Sequence, residues 1–410
     1  MNKCDTTPLL PYDEALEQLT GGIKPIGKIV ERELRKALGS VLAETIESQI
    51  DVPGCAMSAM DGYAVNTADL AAAGSTTLPL SQRIPAGGVA TALRPGSAAR
   101  IFTGAPIPEG ADAVIIQEQV EADEHSIRFE SRPASGANIR PAGNDIQRGT
   151  TILEKGCRLR PQDIGLAASV GLKTLPVYEP VRVGMFFTGD ELVEPGQALP
   201  PGKIYDSNRY TLHGLLESMG CDIVDLGIVG DTLEVTREAM SRACGQADLV
   251  VTCGGVSVGE EDHVRVAIEQ LGELRMWRIG IKPGKPLAYG QIGGTAFMGL
   301  PGNPVSVFAT FCLFVVPVIQ VMQGRKWRKP VSLPVVADFN WPTPDSRREF
   351  LRARLTCDGN DKTAVQIYPN QDSGILTSTV WADGFVEVAE NQTVGAGDTV
   401  NYLPFAQFFG

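Results

Sequence analysis

Lys282-Pro-Gly-Lys-Pro286 places two lysines three residues apart on a loop stiffened by prolines. Lysine carries a compact charge suited to a phosphate or another oxoanion, and a rigid loop lowers the ordering cost of binding one. Upstream, the apolar run Leu249–Thr252 leads straight into Cys253-Gly-Gly-Val-Ser-Val-Gly-Glu-Glu-Asp262. Gly254, Gly255, Ser257 and Gly259 at a strand-to-helix turn let backbone N–H groups converge on an anion, and the helix N-terminus adds partial positive charge. Asp262 either caps that helix or holds a divalent cation. Gly299-Leu-Pro-Gly-Asn-Pro304, with Pro301 in its middle and Ser306 behind it, is another stiff loop entering a helix; Asn303 reads as N-cap and Pro304 as first helical residue. The segment from Gly254 to Pro304 therefore predicts an oxyanion site and by itself names no ligand.

Carboxylates cluster at other strand ends: Thr188-Gly-Asp-Glu191, Asp206 before a helix, and Asp231 after a strand. Hard oxygens in such places suit Mg²⁺, which bridges protein carboxylates to substrate phosphates. Asp190 and Asp206 read equally well as turn or cap residues. Ser58-Ala-Met-Asp-Gly-Tyr-Ala-Val65 sets Asp61 beside a glycine in an apolar strand pattern, either as a turn residue or as a functional carboxylate. Thr103-Gly-Ala-Pro106 and Asn138-Ile-Arg-Pro-Ala-Gly-Asn-Asp145 are turns of the same ambiguous kind. With only three histidines, no Ser/His/Asp arrangement and no His-rich metal site emerge.

The elements that must hold these residues follow from texture along the 410-residue chain, long enough for two to four domains. Residues 12–20 and 29–49 carry helical spacing, the latter with Leu34, Leu38, Val41, Leu42 and Ile46 on one face. From about 50 to 150, short apolar runs alternate with Gly/Pro turns, which predicts a small β domain. Residues 151–176 read as a connector with a short helix opening at Arg160-Pro-Gln-Asp. From about 180 to 327 strand, loop and helix repeat, starting with Val181–Phe187, which predicts a parallel, doubly wound α/β sheet binding ligands at the carboxyl ends of its strands. Beyond Gly324-Arg-Lys-Trp-Arg-Lys-Pro330 the chain is β-rich again.

Composition limits the partners. The net charge is −12, from 36 basic and 48 acidic residues, which argues against nucleic acid while leaving room for a locally cationic pocket. Val305–Met322 is apolar enough to resemble a membrane span, but it sits at the lower length limit and contains Pro317 and Gln320, so a buried core or interface helix is expected and no membrane partner. The N-terminus has no apolar core of signal-peptide length. Eight cysteines without a CxxC pair read as reduced thiols of a cytoplasmic protein.

Taken together, SAMDGYAV (58–65), TGAPIPEGADAV (103–114), NIR with GND (138–145), TGDEL (188–192), YDSN (205–208), GGVSVGEED (254–262), IKPGKP (281–286) and GLPGNPVS (299–306) resemble, in order and over nearly the whole chain, the MoeA family, which includes the E domain of gephyrin. The resemblance implies four domains: a connector (29–49 and 150–179), a β domain (50–149), an α/β domain like that of the MogA-type adenylyltransferase (1–28 and 180–327), and a C-terminal β-barrel-like domain (328–410). It implies a homodimer that inserts molybdate into adenylylated molybdopterin, with Mg²⁺-dependent cleavage of the pyrophosphate and release of AMP, and a handover contact with a MogA-type adenylyltransferase. Lys282 and Lys285, with Pro301, Asn303 and Ser306, would neutralise phosphate or molybdate. Glu191, Asp231 and Asp262 would hold Mg²⁺ or orient water. Asp61, Thr103, Arg140 and Asp145 would complete the site from the other subunit, although Arg140-Pro-Ala-Gly lacks the denser basic cluster common in the family. Arg352 and Ser373 match positions used near molybdate. The rival readings are ATP-dependent adenylylation of molybdopterin, which needs little more than residues 180–327, and a dimeric peptide-binding scaffold.

Overall fold

The structure, a computed structural model, describes residues 9–72, 74–255, 263–357 and 363–409. The chain divides into two compact units, one of residues 1–30, 39–43 and 177–410, the other of residues 31–38 and 44–176.

The first unit holds a six-stranded sheet built from β1 (Arg182–Thr188), β2 (Asp222–Val229), β3 (Leu249–Cys253), β4 (Glu273–Arg278), β6 (Pro286–Ile292) and β7 (Thr295–Leu300), in the order β2-β1-β3-β7-β6-β4. Strands β2, β1, β3 and β7 are mutually parallel, as the strand–helix alternation predicts. The sheet departs from the all-parallel expectation at β6, which runs antiparallel to both β7 and β4. Gly293 and Gly294, both at positive φ, supply the two-residue turn between β6 and β7, a geometry that glycine adopts without strain. Strand β1 is apolar throughout because both its faces are covered: Val183, Met185 and Phe187 join one core while Phe186 joins the other. The helices Ser207–Ser218, Leu233–Cys244 and His263–Leu271 flank this sheet, each supplying buried apolar residues to one of the two cores.

Residues Pro304–Met322 form one continuous helical stretch of mean hydropathy 2.3, 89% buried within the fold. The expected membrane-length segment is thus a core helix. Its middle, Phe311–Val315, is a π-helical turn that ends two residues before Pro317. Proline in a helix cannot donate to the preceding turn and crowds its carbonyls, and a widened turn relieves that conflict locally.

The remaining strands, β8 (Leu333–Ala337), β9 (Arg348–Cys357), β10 (Thr363–Ile367), β11 (Gly384–Val388) and β12 (Thr399–Pro404), close into a five-stranded barrel through the β9–β11 pairing. The two-residue strand β5 (Ile281–Lys282) lies between β4 and β6 in the chain, yet it pairs with Arg348 and Glu349 of the barrel. An aromatic cluster of Tyr12, Phe308, Phe314, Phe350, Phe385 and Phe405 packs the core helix against the barrel.

The second unit carries a six-stranded sheet whose middle strands are Gly62–Val65, Ala98–Ile101 and Thr76–Ile84. Its helix Pro161–Ser169 is capped through Asp163, whose carboxylate accepts from the Arg160 backbone N–H at 2.8 Å. The helix expected over 29–49 does not form. Ile29–Glu33 is a strand and Leu34–Lys36 a single 3₁₀ turn. Leu38 is 59% exposed, and the adjacent Val41, Leu42 and Ala43 are all buried, an extended pattern that a single helical face cannot produce.

Candidate functional site

Thr188, at the carboxyl end of β1, is a point of convergence. Its hydroxyl donates to Asp231 Oδ1 at 2.8 Å, fixing a carboxylate from the end of β2. Gly254 and Gly255, at positive φ after β3, lie against it: a Cβ on Gly254 would stand 2.9 Å from the Thr188 carbonyl oxygen. Glu191 folds back over Gly189, where a side chain would collide with its carboxylate at 2.7 Å. Thr188, Glu191 and Gly254 border a cleft of 310 Å³ that also receives Asp206, Asn208, Cys253 and Gly302. Asp206 caps its helix by accepting from Arg209 N at 3.1 Å. Its other carboxylate oxygen and the Asn208 side-chain oxygen are buried without hydrogen-bond partners. Burial, with the charge of Glu194 as a smaller contribution, pushes the Asp206 carboxyl above the ordinary range, while the Arg209 N–H works against it.

On the other side of Gly302 lies a second cleft, of 460 Å³, bordered by Lys282–Pro286, Pro301–Asn303, Ser306, Arg347 and Gln371–Ser373. Both volumes fall at the small end of the range for small-molecule sites. Gly302 belongs to both walls, so the two clefts meet over one loop. That loop is anchored on each side: Asn208 Nδ2 donates to the Gly302 carbonyl at 2.7 Å, and Asn303 Nδ2 donates to Ser373 Oγ at 2.9 Å. Val305 N also donates to the Ser373 carbonyl at 3.0 Å, tying the start of the core helix to the barrel loop.

The two lysines differ. Lys282 Nζ lies 2.9 Å from Glu349 Oε1 and 3.2 Å from Asp345 Oδ2. Glu349 is 1% exposed and accepts from Trp341 Nε1 at 2.7 Å through its other oxygen. The Lys282 contact lies at hydrogen-bond distance but outside hydrogen-bond angles, so charge rather than a directed bond holds it. Burial works against the Lys282 ammonium, yet Glu349 and Asp345 hold it above the ordinary lysine value. Arg347 is itself paired with Asp345 and holds that carboxyl well below the usual range. Lys285 is exposed in the same cleft, and no carboxylate pairs with its ammonium among the described residues.

Arg352 stands behind the wall. It is 1% exposed, with Nε donating to Ser378 Oγ at 3.1 Å and NH2 to the Asp372 carbonyl at 3.2 Å; burial pushes its guanidinium down to about 10. It supports the loop that carries Ser373 rather than bordering the cleft itself. Sequence reasoning missed Asp345, Glu349 and Trp341, whose positions carry no local signal and become meaningful only through the β5–β9 pairing.

In the second unit Asp61 Oδ1 accepts from both Thr103 N and Thr103 Oγ1 at 2.8 Å, and these bonds, backbone first, hold its carboxyl below the usual range. Gly62 beside it is obligatory, because a Cβ there would lie 2.0 Å from the Ile115 carbonyl oxygen. Arg140 and Asp145 are exposed on the same unit. Ser257, Gly259 and Asp262 lie outside the described residues.

The Mg²⁺ expectation can be tested on donors. Glu191, Asp206 and Asn208 line one cleft, the last two with unpartnered oxygens, and Asp231 joins this all-oxygen set through its bond from Thr188. No group of three or more His, Cys, Asp or Glu side chains is poised for a metal among the described residues. One or two carboxylates completed by substrate phosphate and water is the usual Mg²⁺ arrangement, so the set fits that ion.

Gly284 offers a direct test of the lysine loop. Its φ is +107°, and an added Cβ would stand 2.5 Å from Thr310 Cγ2. Thr310 cannot turn away cheaply, because its hydroxyl donates to the Ser306 carbonyl at 2.7 Å. Gly284→Ala is expected to cost about 1–3 kcal/mol in chemical denaturation; an unchanged midpoint would show that the loop yields freely.

Known proteins share this fold. The family model for the MoeA N-terminal region (domain I and II) matches residues 10–171, that for a probable molybdopterin binding domain matches residues 184–321, and that for the MoeA C-terminal region (domain IV) matches residues 334–405. A molybdopterin molybdenumtransferase of Haemophilus influenzae is 41% identical over 381 residues, covering 92% of this chain and 94% of its own. One from Bacillus subtilis is 32% identical over 389 residues, covering 93% and 90%. The crystal structure of the molybdopterin biosynthesis moeA protein from Pyrococcus horikoshii superposes with a TM-score of 0.85 at 32% identity, covering 97% of this chain and 100% of that one.

Proposed function

Since the chain belongs to the MoeA family of molybdopterin molybdenumtransferases, which insert molybdate in molybdenum cofactor biosynthesis, we propose that its two clefts divide that reaction between them. The observation that carries this reading is the shared wall at Gly302, with Lys285, which no carboxylate pairs among the described residues, on one side and Glu191 and Asp206 on the other. The substrate is adenylylated molybdopterin, and its pyrophosphate lies across the Pro301-Gly302-Asn303 loop. Lys285, Asn303 and Ser306 hold the oxyanion, molybdate or phosphate, beside the start of the core helix. Lys282 keeps the loop in place through Glu349 and Asp345, and Arg352 does the same for Ser373. Glu191 and Asp231, with Asp262, hold Mg²⁺, which supplies charge neutralisation at the pyrophosphate when bound. Thr188 orients the Asp231 carboxylate by its hydrogen bond. Gly255, with Ser257 and Gly259, offers backbone N–H groups to the phosphate, while Gly254, whose own N–H is donated to the Leu300 carbonyl at 3.2 Å, lets the chain approach closely.

The same reading makes the enzyme a homodimer. Asp61 and Thr103, with Arg140 and Asp145, complete the site of the partner subunit; the fixed Asp61–Thr103 pair supports an orienting role. The four segments 29–49 with 150–179, 50–149, 1–28 with 180–327, and 328–410 then serve as connector, partner-completing domain, substrate domain and barrel. A cytoplasmic location suits the free thiols of the seven described cysteines, and a handover contact with a MogA-type adenylyltransferase would deliver the substrate.

The deciding assay incubates the protein with adenylylated molybdopterin, Mg²⁺ and molybdate. AMP release well above the protein-free rate is expected. No acceleration would defeat the reading, and ATP consumption with unmodified molybdopterin would favour the adenylyltransferase rival instead.

A further inference from the structure

The sheet of the second unit contains a pairing that stability alone does not explain. Arg83 and Arg100 sit directly opposite each other on the neighbouring parallel strands Thr76–Ile84 and Ala98–Ile101. Opposed residues share one face of a sheet, and like charges placed so are destabilising. No carboxylate forms an ion pair with either guanidinium among the described residues, and Arg83 makes no hydrogen bond through its side chain there. Both instead lie against one aromatic ring: Arg83 is 4.6 Å and Arg100 4.7 Å from the centroid of Phe102. Arg100 also stacks on Tyr63 at 5.0 Å and is fixed by donating to the Gly62 carbonyl at 3.1 Å and to Gln117 Oε1 at 2.6 Å. Arg83 is exposed, so its fork of donors faces solvent.

Phe102 is followed at once by Thr103, which grips Asp61. The Arg100 charge reaches that carboxylate, and with Arg83 opposite it two guanidiniums gather on one face of a chain of net charge −12. Stacking on Phe102 offsets part of the cost of bringing the two charges together, and the hydrogen bonds of Arg100 fix its fork. A group with two negative charges and several non-bridging oxygens would match the pair, since guanidinium forks recognise phosphate bidentately.

We propose that Arg83 and Arg100, held against Phe102 beside the Asp61–Thr103 pair, form a binding site for a phosphate or diphosphate group. Arg100 is the fixed half of the site and Arg83 the adaptable half. That the group belongs to the pterin nucleotide rests on the function proposed above; the affinity for the anion does not.

The test uses the full chain with Lys285→Ala, so that the lysine cleft contributes little, and titrates inorganic pyrophosphate calorimetrically. Adding Arg83→Gln is expected to weaken binding about tenfold, and Arg83→Lys to recover only part of the loss. Equal affinity with and without Arg83→Gln would overturn the site. A change in oligomeric mass on size exclusion with unchanged affinity would overturn it too, assigning the arginines to contact between copies. In the otherwise wild-type enzyme, Arg83→Gln is expected to raise the KM for adenylylated molybdopterin in the AMP-release assay. An unchanged KM alongside weakened pyrophosphate binding would overturn the substrate assignment and leave a free-phosphate site. If no chain releases AMP while pyrophosphate binding still falls with Arg83→Gln, the anion site stands and the proposed function fails.

Discussion

Lys282→Met is expected to cost about 2–3 kcal/mol of stability, although the residue lies in a loop that lines the proposed oxyanion cleft. The change removes the cation 2.9 Å from Glu349 and leaves that carboxylate, 1% exposed, with Trp341 Nε1 as its one directed partner among the described residues. Breaking a buried pair from one side typically costs about 3–5 kcal/mol, because the surviving charge is left uncompensated. The lower figure reflects Lys282 itself, whose side chain is 41% exposed and partly screened by water. A base held above its ordinary value stabilises the fold fully below that value and loses its effect only as pH rises through the raised one. Urea unfolding at pH 7 therefore reads the whole contribution. Glu349→Gln added to Lys282→Met should recover part of the loss, since the stranded charge is then gone. Wild-type stability in Lys282→Met would remove Glu349 as the reason for this lysine.

Lys285→Ala should behave in the opposite way. Its ammonium is exposed and unpaired by any carboxylate among the described residues, so its loss should leave the unfolding midpoint within about 0.5 kcal/mol of wild type. A charge-assisted bond to an oxyanion contributes about 1.5–3 kcal/mol, which corresponds to a roughly 10–150-fold weaker affinity. Calorimetric titration of molybdate, and the KM for adenylylated molybdopterin, are the measurements. Unchanged values in both would take Lys285 out of the site. The pair of variants separates two lysines that lie three residues apart and play different parts.

That separation was not legible in the sequence. Lys282-Pro-Gly-Lys-Pro286 announces a stiff basic loop, and the structure places it in a cleft as expected. Which lysine is free depends on Asp345 and Glu349, which reach the loop only through a long-range strand pairing. Local pattern served best where burial and periodicity coincide. The apolar β1, the helix after Asp206 and the core helix behind Asn303-Pro304 all fall where their spacing and cap residues place them. It failed over 29–49, where apolar residues recur at helical intervals by chance while Gly39 and the buried run Val41–Ala43 favour extended chain. The reversed strand β6 could have been read from Gly293-Gly294, a two-residue turn between apolar runs. Asp206 was ambiguous for a physical reason, because it is a cap and also keeps an unpartnered oxygen in the cleft wall.

The small strand Ile281–Lys282 limits how this protein could be rearranged. A chimaera joined in the basic stretch 325–330 would seem to exchange the barrel cleanly for that of a relative. It would also replace Arg348 and Glu349, the pairing partners of Ile281 and Lys282, and so reset the edge from which the lysine loop springs. The α/β domain and the barrel are therefore a single inheritance at this point, and a functional crossover has to carry residues 281–286 and the start of β9 from the same parent.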